Sequence, residues 1–521
     1  MNLLDLSKQF AATALQRLPS VALSLVVVLH QQDALSVGKE ISTTTAFPAN
    51  SDPTVPIRQR LIALKKQVEL NSIRRTLNEC LQLGIQQNMQ LAAAYATIQQ
   101  QEYTLIGIRR QYLPTLSLTS LPPFLGAVQT KNSATQYQQV IVNPNGTTQV
   151  VNSRVSSSGY QNYNQFAPYV TFSWSFFQPS LLASLNAQKA QVQRQRLAFD
   201  VTARSAVLSI QQAYFQLQAS KSLIDSFERI YKINLEQVNY VQERQKAGLI
   251  NIGAVEQARA QLYAQMNQLI SFYENYLQNA ASLAMAMNEP TDQIILPSDN
   301  LEAIGSWTKT LQDTVNQALS LREEIKGYLQ SEAALNWNAS AAMRQYLPTL
   351  MLQGFYYGLY SKGKADSSVN YDTSYTYKAL GLGVTWNIFD GGVAAAQSQA
   401  YKAESRNARY QADYEKYQVR EQIKTTYAAY NTSILSLQNA KANLDAANKT
   451  IEVNRARFTV GLADITSIVQ SMQLLGQASE AYSNSLLQYN NSVAELYRYS
   501  AEWPKGVAIP LAEKINQLKQ D

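Results

Sequence analysis

Arg110-Gln111-Tyr112-Leu113-Pro114-Thr115-Leu116 recurs letter for letter as Arg344-Gln345-Tyr346-Leu347-Pro348-Thr349-Leu350, at an offset of 344 − 110 = 234. Seven identical residues in one order mark an internal duplication. In each copy a helical pattern runs up to the block and an alternating pattern leaves it. Proline has no N–H and its ring collides with the preceding turn, so Pro114 and Pro348 end the helices and stand at helix-to-strand transitions. Further matches follow: Ser173-Trp174-Ser175-Phe176-Phe177 with Thr385-Trp386-Asn387-Ile388-Phe389 (385 − 173 = 212), and the turn at Arg244 to Leu249 with Arg457 to Leu462 (457 − 244 = 213). The first copy is therefore longer by 234 − 212 = 22 residues between Leu116 and Ser173. There Val140-Ile141-Val142 and Val150-Val151 flank Asn143-Pro144-Asn145-Gly146, which predicts a hairpin elaborating a long loop over about 125–165.

The alternation is clearest on the returning strands. Leu380, Leu382, Val384, Trp386 and Ile388 interleave with Ala379, Gly381, Gly383, Thr385 and Asn387, and Val170, Phe172, Trp174 and Phe176 do the same with Tyr169, Thr171, Ser173 and Ser175. Short strands are expected over 115–124, 167–177, 349–360 and 377–389. Large apolar residues on one face and small or polar ones on the other suit a membrane barrel with lipid outside and water inside, although a sheet with one buried face predicts the same pattern. Trp174 and Trp386 fall at equivalent strand ends, where an aromatic girdle would meet the membrane interface. Four strands cannot close a barrel with a lumen, which takes about eight, whereas a homotrimer supplies twelve.

Prolines also frame the rest of the chain. None lies between Pro56 and Pro114, between Pro179 and Pro290, or between Pro348 and Pro504. Within the second interval Ile210, Leu217, Ile224, Tyr231 and Val238 recur every seven residues, and within the third Ile423, Tyr430, Leu437, Leu444 and Ile451 do so. A sustained heptad seam predicts coiled-coil packing. At ~1.5 Å per residue, an unbroken helix from Ser180 to Ala247 would be on the order of 100 Å long. The fold class expected is mainly α, internally duplicated, with long coiled-coil helices and four strands per protomer.

Composition excludes most chemistry. The chain has 521 residues with a single His, His30, and a single Cys, Cys80, so Ser-His-Asp catalysis, a zinc site, a CxxC pair and a disulfide framework are all ruled out or nearly so. No cofactor, metal or catalytic residue is expected, and Cys80 reads as a packed small apolar residue. The net charge of +7 is spread out, and its basic runs (Arg58 to Arg60, Lys65-Lys66, Arg74-Arg75) are short, which argues against nucleic acid as a partner. Gly358 to Lys364 mimics a phosphate-binding loop, but Ala365 replaces its Ser or Thr and it reads as a loop between strands with no helix after it. Lys8, Arg17, the apolar Val21 to Leu29 and Ala34-Leu35-Ser36 predict a secretory signal over 1–36. No run of 18 apolar residues is present to form a transmembrane helix.

Together, the two RQYLPTL blocks, the strands ending at Trp174 and Trp386, and the helix hairpins turning at Ala247-Gly248-Leu249 and Val460-Gly461-Leu462 resemble the TolC-like outer-membrane efflux proteins of Gram-negative bacteria. The resemblance covers roughly Leu77 to Glu502. It implies a homotrimer with a twelve-stranded barrel in outer-membrane lipid, continuous with a twelve-helix periplasmic α-barrel. Such a protein is a passive exit duct for efflux or type I secretion. Its partners would be a periplasmic adaptor (membrane fusion protein) and an inner-membrane pump of the RND, ABC or MFS type. The implied organisation is a signal (1–36), an N-terminal periplasmic segment (37–76), a first repeat (77–290), a connector (291–309), a second repeat (310–503) and a tail (504–521).

On this resemblance Ala247, Gly248, Leu249, Val460, Gly461 and Leu462 are adaptor-docking tips, and Asp464, Thr466, Ser467 and Gln470 are candidates for the periplasmic constriction. Two departures stand out. Asn88-Met89 and Arg322-Glu323 replace the Asn-Pro or Arg-Pro found near helix starts in such proteins. Ser467, Gln470 and Ala254 occupy positions where an acidic constriction would place carboxylates, with Asp464 the nearby exception. The competing expectation is a secreted or periplasmic coiled-coil scaffold whose strands form a small soluble sheet.

Overall fold

The computed structural model describes residues 54–289, 294–365, 369–504 and 507. The expected signal segment 1–36, His30 and most of the 504–521 tail lie outside them. The chain divides into two compact units, 1–63 and 64–521, and of the first only the beginning of helix α1 (Thr54–Leu70) is described.

The second unit contains every other element. In its first repeat these are β1 (Ser72–Arg75), α2 (Leu77–Gln87), α3 (Met89–Arg110), β2 (Thr115–Val142), β3 (Thr148–Phe177), α4 (Pro179–Lys246) and α5 (Ile252–Met287). Strand β4 (Ile294–Pro297) follows, and then α6 (Leu311–Leu321), α7 (Glu323–Met343), β5 (Thr349–Ala365), β6 (Val369–Thr385), α8 (Val393–Thr459) and α9 (Ile465–Tyr499). β1 and β4 pair in parallel and bury Ile295 and Leu296.

The shorter helices break where proline was missing. α2 opens on a capping box, with Thr76 Oγ1 accepting from Glu79 N–H and the Glu79 carboxylate accepting from Thr76 N–H. It stops at Asn88, whose Oδ1 accepts from Leu91 N–H at 3.0 Å and so starts α3 without a proline. Arg322 makes the equivalent break between α6 and α7, with the acidic Glu323 and Glu324 in the first turn of α7, where the helix dipole favours them.

Long helices carry the core. In α4, at 68 residues, Ile210, Leu217, Ile224, Tyr231 and Val238 are all buried. In α8 the expected seam is only partly covered, since Ile423, Tyr430 and Ile451 are buried while Leu437 and Leu444 are half-buried. A second seven-residue seam in the same helix completes it: Ser398, Ser405, Ala412, Val419, Thr426, Ser433, Ala440 and Ala447 are all buried. Small side chains let neighbouring helices approach closely, and their hydroxyls bond across the gap, as Ser433 Oγ does with Ser492 Oγ at 3.3 Å.

Buried charge is concentrated where α4, α7, α8 and α9 meet. Arg204 pairs with Glu323 at 3.0 Å and lies 4.1 Å from the centre of the Trp503 ring. Burial, then the Glu323 carboxylate, push the nearby Asp200 up to about 6 against the pull of Arg204. A carboxylic acid raised in the folded state favours folding below its unfolded value near 3.8, and that contribution is lost as pH rises through about 6. Asp200→Asn removes the penalty, so the variant should be more stable than the parent at pH 7 to 8, with the difference vanishing near pH 4. Denaturant titration at both pH values checks this.

All four long strands form one antiparallel sheet in the order β2-β3-β5-β6, with β3 and β5 joining the two repeats. The strands of the first repeat run well past the expected 115–124 and 167–177. β2 and β3 have 28 and 30 residues against 17 each in β5 and β6, so the inserted sequence lengthens the ladder rather than forming a loop over 125–165. The turn falls at 143–147, where Gly146 has φ +77°. The Ser-, Asn- and Gln-rich sequence there hid the strand pattern, because backbone pairing needs no apolar alternation. At the other end β6 stops at Thr385 rather than 389: Thr349 pairs with it, and the preceding Pro348 has no N–H to continue the ladder. The segment Gly358 to Lys364 is extended strand within β5, not a loop between strands.

Candidate functional site

The register sorts the sheet into two chemically distinct faces. Leu116, Phe172, Gly354 and Leu380 lie in line across the four strands, and the next rows on that face are Leu118-Val170-Tyr356-Lys378 and Trp174-Leu352-Leu382. Leu116, Leu118, Leu380, Leu382 and Val384 are all exposed, a contiguous apolar surface. The opposite face carries Ser117, Thr171, Ser173, Gln353, Gly381 and Gly383, with the Ser117 and Thr171 hydroxyls bonded to each other. From Trp386 to Lys378 is eight residues, roughly 20 Å of height at ~3.4 Å per residue and a tilt of about 40°. The apolar rows thus match the ~25 Å band of an outer-membrane barrel.

The repeated RQYLPTL block forms the joint between helix and strand. Helices leave their last carbonyls without intrahelical partners. Trp174 Nε1–H donates to the carbonyl of Tyr112 at 2.8 Å, and Trp386 Nε1–H donates to that of Tyr346 at 2.9 Å, the same contact in both repeats. Two residues later Pro114 and Pro348 turn the chain into β2 and β5. Trp386 lies just beyond β6 but keeps the position expected at the strand end. The second joint has an additional clamp that sequence reading missed: Asp390 accepts from the Tyr346 hydroxyl at 2.6 Å and from Gly392 and Ala394 N–H at 2.9 and 2.8 Å, which starts α8. Its carboxyl is held below the usual range, chiefly by the Tyr346 hydroxyl.

At the far ends of the long helices the two turns are built alike. Gly248 and Gly461 have φ +72° and +80°, which glycine adopts without a Cβ penalty. Leu249 N–H donates to the Arg244 carbonyl at 2.9 Å and Leu462 N–H to that of Arg457 at 2.8 Å, the six-to-one closure of a Schellman turn. Leu249, Val460 and Leu462 are 66%, 69% and 71% exposed, and Ala247 is exposed beside them. The returning helices are capped by Asn251, accepting from Ala254 N–H at 3.0 Å, and by Asp464, accepting from Ser467 N–H at 3.0 Å and Ser467 Oγ at 2.8 Å. These bonds, the backbone one first, hold the Asp464 carboxyl below its ordinary range. Both caps fall three residues after the turn glycine, a signal legible in the sequence.

The fold brings the two tips together. Tyr240 stacks edge-on against Phe458 at 5.7 Å and Arg455 pairs with Glu236 at 3.1 Å, linking α4 to α8. Between the tips lies an open cleft of about 600 Å³, with Leu249 and Ala254 on one side, Gly461, Asp464 and Thr466 on the other, and Arg244 at its edge. Of the candidate constriction residues, Asp464 and Thr466 line this cleft, Ser467 is bonded to Asp464, and the exposed Gln470 lies one turn further along α9. Sequence reading missed Phe458 and Asn251 in the same cleft. Among the described residues no cluster of His, Cys, Asp and Glu could hold a metal ion. Cys80 is buried, and burial pushes its thiol up to about 12.

A sheet with one lipid-like and one water-like face, jointed to helices far too long for a membrane's thickness, defines a barrel-and-tunnel channel protein. The chain belongs to the outer membrane efflux protein family, whose sequence pattern matches residues 80–289 and 314–502, one span per repeat. It is similar to the outer membrane protein TolC of Salmonella enteritidis, 22% identical over 355 residues covering 64% of this chain and 69% of that one. Its fold is similar to the CmeC outer membrane channel of Campylobacter jejuni (TM-score 0.64, 18% identity, 85% of this chain and 88% of that one). It is likewise similar to the open state of the MtrE outer membrane channel of Neisseria gonorrhoeae (TM-score 0.60, 15% identity, 82% and 89%). The protein is accordingly an outer-membrane efflux channel whose helices extend into the periplasm, and a transport protein rather than an enzyme. This sets aside the soluble coiled-coil scaffold.

Proposed function

We propose that three copies of this chain form the passive exit duct of a tripartite efflux or type I secretion system, docking to a periplasmic adaptor through the helix tips. The free edges of β2 and β6 support the trimer: four strands are too few for a lumen, and three copies joined edge to edge supply twelve. The observation that carries the docking is the exposure of Leu249, Val460 and Leu462 around an open cleft on turns held rigidly by two Schellman closures. Two tips per protomer give a trimer six similar sites, suited to a six-fold adaptor ring beneath which an inner-membrane pump of the RND, ABC or MFS type supplies the energy. A photo-crosslinking residue at Leu462 should capture a periplasmic adaptor in cells that carry the whole system. Capture from an outward position on α8 but not from Leu462 would overturn the docking.

Asp464, Thr466, Ser467 and Gln470 form the narrow periplasmic mouth in this reading, and opening moves the capped starts of the α9 helices apart. Asp464 has two separable parts, a charge and a cap. Asp464→Asn keeps the cap and removes the charge, so it should lower cation selectivity in planar bilayers while the closed state persists. Asp464→Ala also removes the cap, at a cost of ~1 kcal/mol to the helix start, and should increase spontaneous opening. Unchanged current and selectivity in both variants would place Asp464 away from the pore.

A further inference from the structure

The barrel face that turns away from lipid is not uniformly polar. Tyr169 on β3, Phe355 and Tyr357 on β5, and Tyr375 and Tyr377 on β6 all project from it, in a continuous chain of ring contacts. Tyr169 lies 6.2 Å from both Phe355 and Tyr357, Phe355 lies 5.3 Å from Tyr377, and Tyr357 lies 5.9 Å from Tyr375. The register fixes the face: Thr119, Tyr169, Tyr357 and Tyr377 share one row, directly beyond the row Ser117-Thr171-Phe355-Ala379. Among its described residues this face bears no charged side chain, while Lys362, Asp372 and Lys378 all project from the lipid side. In the single chain Tyr377 and Tyr375 are 54% and 49% exposed, so packing within the protomer leaves about half of each side chain open.

We propose that these five rings form an aromatic collar inside the barrel that binds planar aromatic cations during their exit. The proposal rests on the barrel closing from several copies, which would set one such cluster per protomer around the lumen. A ring face carries negative electrostatic potential and attracts an organic cation, more strongly for a flat one that can also stack. With no lysine or arginine on the same face to occupy the rings, and no carboxylate to hold small cations, the surface selects for aromatic cations over inorganic ones. Its height is informative as well. The collar lies beside the Tyr356-Lys378 level, midway along β5 and β6 and near the outer limit of the apolar lipid-facing rows, so a departing solute meets it before the outer halves of those strands.

The test uses the full-length channel in planar bilayers, with ethidium added at the extracellular side and naphthalene sulfonate as the aromatic anion. Ethidium should interrupt the single-channel current in a concentration-dependent way, and the anion at equal concentration should not. Replacing both Tyr357 and Tyr377 by Leu should shorten the interruptions about tenfold or more. Replacing both by Phe should preserve them, and Tyr356→Leu on the lipid face should leave them unchanged. Should the double Leu variant fail to insert, Tyr377→Leu alone is read, since its half-exposed ring contributes little to packing, and shortened interruptions are again expected. Interruptions that persist in the Leu variants, or that the anion produces equally, overturn the collar. Absence of any channel current from the parent protein would instead overturn the duct itself.

Discussion

Gly461→Glu should leave trimers in the outer membrane at parental levels and reduce export to that of a strain lacking the protein. The backbone at Gly461 has φ +80°, where a Cβ costs about 1–2 kcal/mol, and the space around it is open, so the substitution strains the turn without a clash. That strain is small beside the packing of the 67-residue α8 against its neighbours, so folding and assembly survive. What changes is the surface. A carboxylate among Val460, Leu462 and Leu249 would have to be buried unpaired against an apolar adaptor hairpin, which is costly. Leu462→Asp places the same charge one residue away with no backbone strain and should give the same loss. Gly461→Ala carries the strain without the charge and should export almost normally. Substrate accumulation in cells and trimer content of outer-membrane fractions measure the two effects separately. Normal export in both acidic variants would remove the tips from the docking surface.

The second large effect is on stability. Arg322 is 3% exposed and donates to Glu324 at 3.0 and 3.3 Å, to Gln422 at 3.3 Å and to the Tyr499 carbonyl at 3.4 Å, with Glu415 at 3.8 Å. It also forms the break between α6 and α7, so one side chain ties together the second repeat's α7, α8 and α9. Arg322→Met leaves Glu324 with Arg498 alone, at 2.8 Å, and Glu415 with no close cation among the ion pairs it makes here. Stripping one partner from a buried charge cluster costs about 3–5 kcal/mol. Burial raises the Glu324 carboxyl, but the Arg498 and Arg322 guanidiniums outweigh it and hold the group below its ordinary range. A lowered folded value gives stability that is present above the unfolded value and lost as pH falls through the folded one. The parent should therefore weaken below about pH 4, and Arg322→Met should show a much shallower acid dependence on top of its lower baseline. Denaturant unfolding of the solubilised trimer across pH 3 to 7 reads both. Equal midpoints at pH 7 would contradict the assignment.

Most of the architecture was legible because it rests on signals that local chemistry imposes. Pro114 and Pro348 mark the joints, since proline is not accommodated past a helix's first turn, and Gly248 and Gly461 mark the tips, since a positive φ selects glycine. The seam of α4 could be read from its large apolar residues, all of which are buried. Half of the α8 seam could not, because Ser398, Ser405, Thr426 and Ser433 are polar by type and become interior only through the close approach of a neighbouring helix. The length of β2 and β3 escaped for a related reason: a ladder of backbone bonds is indifferent to a polar sequence. At the site, the tips and the two tryptophans were readable, whereas Phe458, the Asp390 bond to Tyr346 and the Tyr112 and Tyr346 carbonyls were not, since their partners lie at distances along the chain that no pattern encodes.

The sequence by itself determined the duplication, the helix-to-strand joints, the turn positions and the two-sided strands. Each follows from the conformational limits of a residue or from a period along one element. Only the tertiary structure decided that Asp464 borders a cleft shared by both tips, that Arg322 gathers the charges of three helices, and that five rings from three strands fall on one face of the sheet. These depend on the register between elements and on the distance between faces, and both are set by packing rather than by any residue's own preference.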